Sequence, residues 1–145
     1  MEAIILAGGL GTRLRAAVPD LPKPMAPVNG RPFLEHQLEY WVGQGVTRFI
    51  LSVGYKHESI SGHFGAAFRG IPVGYAVENQ PLGTGGGLLL AAGSLAAPGP
   101  YLVLNGDTYF EVALGRLREF HAGHQADVTL SLFRSAQQGR YTGLK

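Results

Sequence analysis

The stretch that decides the reading is Ala3-Ile4-Ile5-Leu6-Ala7-Gly8-Gly9-Leu10-Gly11-Thr12-Arg13-Leu14. Ala3–Ala7 is an apolar run ending at a glycine cluster, the pattern of a buried strand entering a turn. Adjacent glycines permit positive φ and let backbone N–H groups approach an anion, so this turn can form a nest for phosphate. Arg13 adds a fork of donors matched to phosphate oxygens. A tight strand-to-helix turn is the plain alternative, and Thr12-Arg13 directly behind the glycines favours phosphate. The spacing is not a dinucleotide fingerprint, because Leu14 stands where its last glycine belongs. Nor is it a Walker A loop, because no Gly-Lys-Ser/Thr follows.

Downstream, short β-like runs alternate with helical ones. Pro32 opens a helix over Phe33–Gln44 with Leu34, Leu38, Trp41 and Val42 on one face and Gly45 after its end. Arg48–Val53 reads as a second strand, Glu58–Phe64 as a short helix, and Val73–Val77 as a third strand. Gly85–Ala92 reads as helix, and Tyr101–Leu104 as a fourth buried strand ending at Asn105-Gly106-Asp107. A helix carrying Val112, Leu117 and Phe120 follows, then a fifth strand, Asp127–Phe133. Strand–helix alternation predicts an α/β fold with a parallel sheet covered on both faces. Ligands of such sheets bind beyond the carboxyl ends of the strands. That rule selects Gly8–Leu14, Glu78–Gly87 and Asn105–Asp107, which are also the most distinctive stretches of the chain.

Composition narrows the classes. The 145 residues are 46% apolar and 15% charged, with net charge +2 and no cysteine. This fits one folded domain over residues 1–145 and excludes disulfide scaffolds, thiolate catalysis and cysteine-based zinc sites. The 22 glycines are about twice the usual ~7%. No charge falls between Glu78 and Asp107, but Pro81, Pro98, Pro100 and the glycines break that stretch as a membrane span. Glu2 stands where a signal peptide would be basic. The expectation is a cytoplasmic protein with no membrane segment and no nucleic-acid partner, since no basic face is present.

Leu21-Pro22-Lys23-Pro24-Met25 holds a lysine between two prolines, which would fix it in extended conformation. On this segment alone, a loop skirting the surface is the simpler reading. Glu78 follows the third strand. On the strand pattern alone it reads as a strand-end glutamate facing water. On its own segment Asp107 reads as the N-cap of a following helix. His121 and His124 lack a third ligand and read as solvent-facing helix residues; His36, His57 and His63 show no recognisable partner. Trp41 and Phe33 read as core aromatics.

Ala-Gly-Gly-Leu-Gly-Thr-Arg-Leu, Leu-Pro-Lys-Pro-Met, Pro81-Leu82-Gly83-Thr84-Gly85-Gly86 and Leu104-Asn105-Gly106-Asp107-Thr108 together resemble the signature of sugar-1-phosphate nucleotidyltransferases. Within that family the chain is most similar to heptose 1-phosphate guanylyltransferases, with mannose-1-phosphate guanylyltransferases next. The resemblance implies a Rossmann-like three-layer sandwich of the nucleotide-diphospho-sugar transferase type, its central sheet mostly parallel and truncated at the C-terminus. It implies a nucleotide site formed by Leu6, Ala7, Gly8, Gly9, Gly11, Thr12, Arg13, Glu78, Pro81, Gly83 and Thr84. Catalytic roles fall to Arg13, Lys23 and Asp107, with Asp107 binding Mg2+. The implied reaction passes GMP from GTP to heptose or mannose 1-phosphate, for cell-surface polysaccharide synthesis. The resemblance makes Glu78 the residue that selects the base: a carboxylate can accept guanine N1–H and the exocyclic amine together, a contact worth about 1–3 kcal/mol in nucleic-acid readout, and in relatives that resemble thymidylyltransferases a glutamine stands at that position.

The resemblance also implies further strands, a sugar pocket and a second metal-binding aspartate that no residue here matches. Arg140-Tyr141-Thr142-Gly143 stands where the family shows Arg-Tyr-Gly. The expectation is an N-terminal, nucleotide-binding portion, the extra Thr142 suggesting a frameshifted or fragmentary reading frame. Asp127–Phe133 would then be an unpaired edge. Two other readings stay open: a thymidylyl- or uridylyltransferase, and a nucleotide-binding module without transfer activity. A dehydrogenase is disfavoured, because no acidic residue stands about 20 positions after the glycine turn.

Overall fold

A computed structural model describes residues 1–9 and 21–132. The chain divides into two compact units, Met1–Phe110 and Glu111–Lys145. In the first, the strands are β1 (Glu2–Leu6), β2 (Pro27–Val28), β3 (Arg31–Pro32), β4 (Arg48–Val53), β5 (Ala67–Phe68), β6 (Ile71–Val77) and β7 (Leu102–Asn105). The helices are α1 (Phe33–Gly43), α2 (His57–Phe64) and α3 (Gly83–Ala92), with a 3-10 turn at Lys23–Met25. The second unit contains α4 (Leu114–Gly123).

The main sheet runs β5-β6-β4-β1-β7. β1 pairs in parallel with both β4 and β7, placing Ile4 opposite Ile50 on one side and Val103 on the other. β4 and β6 are also parallel, and the short β5 runs antiparallel to β6. The chain moves outward from β1 to β4 and β6, then returns to add β7 on the opposite side of β1. Such a reversal of strand order opens a crevice at the carboxyl ends of the strands.

Ala3, Ile4 and Ile5, and likewise Phe49, Ile50 and Leu51, are fully buried in succession. Burial of consecutive strand residues means that both faces of the sheet are covered. On one face, Ile4, Ile50 and Ala76 pack with Ala91, Leu88 and Ala92 of α3. The sequence of α3, GTGGGLLLAA, has poor intrinsic helix propensity, so this packing is what holds it helical. At the other end of the sheet, the Glu2 carboxylate accepts Arg48 Nη1 (2.9 Å) and the backbone N–H groups of Ala96 and Ala97. The acidic second residue is thus a structural anchor.

The structure corrects several expectations. Residues 127–132 form no strand; Val128, Leu130 and Leu132 are 74%, 66% and 65% exposed. An alternating pattern makes a strand only where a neighbour accepts its backbone hydrogen bonds, and among the described residues none does. The fourth strand is not buried: among the described residues β7 pairs with β1 alone, and Val103 is 41% exposed. Lys23 is not extended but opens the 3-10 turn. There Met25 N–H bonds Pro22 O (2.8 Å), and prolines suit a first helical turn because they need no N–H acceptor there. Val112 precedes α4 rather than lying in it. His121 is half-buried, its Nδ1 2.9 Å from Thr129 Oγ1. The other histidines have neighbours too: His63 meets Glu35, His36 meets the Val28 carbonyl, and His57 meets Glu58. Trp41 is buried as expected, whereas Phe33 is half-buried. Among the described residues, no helix is long and apolar enough to cross a membrane.

Candidate functional site

The end of β1 is the centre of the site. Leu6 O accepts the Gly106 N–H (2.8 Å), and Ala7 N–H donates to Ser52 O (2.8 Å), so the turn after β1 is pinned to β7 on one side and β4 on the other. Glu78 N–H donates to Val53 O (2.7 Å), extending the β6–β4 ladder by one residue past the strand. This delivers the Glu78 side chain to the Gly8 turn.

Glu78 is half-buried, and its carboxylate is held by donors of the protein. Oε1 accepts Ser52 Oγ (3.1 Å), and Oε2 accepts the Leu82 N–H (3.0 Å). A Cβ at Gly8 or at Gly87 would stand 2.6 Å from Oε1 in either case, so both positions require glycine for the carboxylate to lie where it does. Two donors fix the group, yet a carboxylate has about four lone-pair sites, which leaves capacity for a ligand.

On the other flank, the Lys23 ammonium donates to Asp107 Oδ2. Asp107 follows the end of β7, and Thr108 Oγ1 donates to its Oδ1 (3.2 Å). The hydrogen bond from Lys23 holds the Asp107 carboxyl below the ordinary carboxylate range, against partial burial that acts the other way. Asp107 caps no helix, since the next one begins at Leu114. A Cβ at Gly106 would meet Leu6 O at 2.9 Å and Ala7 Cβ at 3.1 Å, which is why the turn can press against β1 only with glycine there.

The first unit thus gathers Leu6, Ala7, Gly8, Glu78 and, through Gly106, Asp107 with Lys23 along one line of strand ends. Gly9 is exposed, and a Cβ there would have nothing within 4 Å. Pro81, Gly83 and Thr84 are exposed at the start of α3, Gly83 with φ +71°. Gly11, Thr12 and Arg13 lie outside the described residues. Among those described, no three His, Asp or Glu side chains cluster as a metal site.

Sequence reasoning missed Ser52 and Gln37, and it selected the stretch ending at Gly87 without the contact between Gly87 and the Glu78 carboxylate. Gln37 is 2% exposed on α1, and its Nε2 donates to Asn105 O (2.8 Å) and Thr108 O (3.0 Å). The signal was present: Leu34, Gln37, Leu38 and Trp41 form an i, i+3, i+4, i+7 stripe, and an amide on an apolar stripe calls for a partner. Ser52 is likewise the lone hydroxyl in the otherwise apolar run Phe49-Ile50-Leu51-Ser52-Val53.

Residues 2–142 match the family model described as Nucleotidyl transferase. The chain is 46% identical over 141 residues to a D-glycero-alpha-D-manno-heptose 1-phosphate guanylyltransferase of Aneurinibacillus thermoaerophilus, covering 97% of this chain and 61% of that protein. It is 41% identical over 135 residues to a mannose-1-phosphate guanylyltransferase of Mycobacterium tuberculosis, covering 92% of this chain and 37% of the relative. The crystal structure of HddC from Yersinia pseudotuberculosis complexed with GMP-PN superposes with TM-score 0.74 at 41% identity, over 83% of this chain and 53% of that one. A UTP-bound UGPase from Acinetobacter baumannii shares the fold (TM-score 0.73, 24% identity, 86% of this chain and 53% of that one). The chain therefore spans 61% or less of each of these relatives. A crevice at the strand-order reversal, glycines pressed against a fixed carboxylate and a lysine–aspartate pair stand together in a chain that belongs to the nucleotidyl transferase family.

Proposed function

We propose that this chain is the nucleotide-binding portion of a sugar-1-phosphate guanylyltransferase, transferring GMP from GTP to heptose or mannose 1-phosphate and releasing pyrophosphate. The observation that carries this reading is the meeting of Lys23 and Asp107 beside the Gly8 turn, one flank suited to phosphates and the other, at Glu78, to a base. The heptose 1-phosphate and mannose-1-phosphate guanylyltransferase relatives support the same nucleotide. The sugar-phosphate oxygen forms a bond to the α-phosphorus as the bond to pyrophosphate breaks, so no covalent nucleophile is required.

On this reading the residues of the chain divide the work. Backbone N–H groups of Gly8, Gly9, Gly11 and Thr12 hold the nucleotide, and the Arg13 guanidinium binds its phosphates. The Lys23 ammonium neutralises charge that grows as pyrophosphate leaves. Glu78 accepts the two guanine donors and repels the carbonyl edge of uracil or thymine. Exposed Pro81, Gly83 and Thr84 border the base.

Asp107 fits a divalent cation of the kind nucleotides carry. Its side chain is 42% exposed, and Mg2+ in phosphate sites takes one or two carboxylates with phosphate and water oxygens as the remainder. When bound, Mg2+ supplies charge neutralisation on the phosphates. GTP is a cytoplasmic metabolite, and the cytoplasm is where this reading places the protein.

Calorimetric titration with GTP, dTTP, UTP, CTP and ATP in the presence of Mg2+ tests the proposal. Selective GTP binding is expected. Selective binding of another nucleotide would overturn the guanylyl assignment, and binding of none would overturn the nucleotide site in this chain. Mg2+-dependent pyrophosphate release with a sugar 1-phosphate present separates transfer from binding alone.

A further inference from the structure

Gln37 is a buried polar side chain that the proposed reaction does not use. Leu34, Leu38 and Trp41 surround its position on α1 as buried neighbours on the stripe. Its Nε2 donates to the carbonyls of Asn105 and Thr108, which bracket Gly106-Asp107. Its Oε1 is buried and has no hydrogen-bond partner among the described residues. A methionine or leucine would fill the same volume without an orphaned acceptor, so the amide costs stability that hydrocarbon would not. What the amide adds is the pair of donor bonds on one short turn.

That turn is held from its other side as well. Gly106 N–H bonds Leu6 O at 2.8 Å, and the Gly106 backbone lies against Ala7 too closely to admit a Cβ. Asp107 leaves the turn between these restraints and meets Lys23. A carboxylate on a surface turn would otherwise sample many positions, and immobilising it in advance removes that entropy cost from ligand binding.

We propose that Gln37 is a positioning residue: its amide clamps the 105–108 turn so that Asp107 is presented in one place to Lys23 and to a cation carried by the nucleotide. It acts only through Asp107. The inference rests on the reading of Asp107 as a cation-binding residue.

Gln37→Met keeps the volume and removes both donors. In the ligand-free chain, hydrogen exchange at the Gly106 amide should accelerate about tenfold while Ile4 and Ile50 amides keep their rates. In calorimetry, the gain in GTP affinity produced by Mg2+ should fall about tenfold, with Mg2+-free affinity changing less than about twofold. Gln37→Asn retains an amide one methylene shorter and should shift both readings in the same direction by less; it carries the test if Gln37→Met does not fold. Unchanged Gly106 exchange, or faster exchange with an undiminished Mg2+ gain, overturns the proposal. A wild-type chain whose GTP affinity ignores Mg2+ overturns the reading of Asp107 instead, and the exchange rate still decides whether Gln37 clamps the turn.

Discussion

Lys23 and Asp107, 84 positions apart, are joined by a direct ion pair at the carboxyl edge of the sheet. Lys23 arrives from a turn shaped by Pro22 and Pro24, both buried, while Asp107 arrives from the end of β7. Their side chains are 36% and 42% exposed, and exposed pairs contribute about 0–1 kcal/mol. Stability is therefore a poor reason for the pair. Its consequence is that a cation and a carboxylate, both suited to phosphate chemistry, are already side by side before any ligand arrives.

Lys23→Met should raise the Asp107 carboxyl toward its ordinary value of about 3.9, because the hydrogen bond from Lys23 is the chief cause of its depression. Carboxyl NMR titration reads this directly. A depressed carboxylate stabilises the fold above its unfolded-state value and loses that contribution as pH falls through its folded value. Any stability difference between wild type and Lys23→Met should therefore be present at neutral pH, begin to shrink only below about pH 4, and vanish once the pH has fallen below the lowered folded-state value. A difference that persists in acid would mean the pair is not its source.

Glu78→Gln exchanges one acceptor oxygen for a donor amide. If Glu78 reads guanine, GTP affinity should fall about tenfold or more, since a bidentate contact is worth about 1–3 kcal/mol. UTP and dTTP should gain relative to GTP, because the repulsive charge is gone. Competition titrations among the three nucleotides measure this. An unchanged preference would show that the carboxylate serves only Ser52 and Leu82.

Two glycines of α3 should respond in opposite ways to alanine. Gly85 has nothing within 4 Å of a new Cβ, so Gly85→Ala should stabilise the fold by about 0.5–1 kcal/mol through helix propensity. Gly87→Ala places its Cβ 2.6 Å from Glu78 Oε1 and 3.0 Å from Ser52 Oγ. That crowding should cost about 1–3 kcal/mol and displace the carboxylate, weakening GTP binding as well. Urea unfolding with nucleotide titration separates the two effects.

Glu2→Ala removes the acceptor shared by Arg48, Ala96 and Ala97. Hydrogen bonds to charged groups contribute about 1.5–3 kcal/mol, and a loss of about 2 kcal/mol is expected in urea unfolding, with GTP affinity unaltered. A loss of binding would show that this end of the sheet is coupled to the ligand.

The strands that carry the site were legible because their information is local. Ala3–Ala7 and Arg48–Val53 are apolar runs bounded by glycine, and the structure places strands at Glu2–Leu6 and Arg48–Val53. The short β2, β3 and β5 carried no periodicity long enough to read, and residues 127–132 carried the pattern without a neighbour to realise it. In the site, Glu78 and Asp107 stood at the strand ends that the sequence picked out, whereas Lys23, whose segment alone reads as a surface loop, was singled out by the family resemblance. Ser52 and Gln37 were not, because a hydroxyl and an amide become functional only through what packs against them, and the same holds for the contact between Gly87 and the Glu78 carboxylate.

The sequence by itself determined the alternation of the longer strands and helices, Glu2–Leu6, Phe33–Gly43, Arg48–Val53, His57–Phe64, Ile71–Val77 and Gly83–Ala92, and the glycines at the strand ends, since each depends on neighbours a few positions away. Only the tertiary structure decided that β7 returns to the far side of β1. With that choice Gly106 comes against Leu6, Asp107 against Lys23, and Gln37 beneath the turn between them. These contacts join positions as far apart as Leu6 and Gly106, and such pairings are set by the burial and backbone hydrogen bonding of the whole sheet, which no local stretch of sequence encodes.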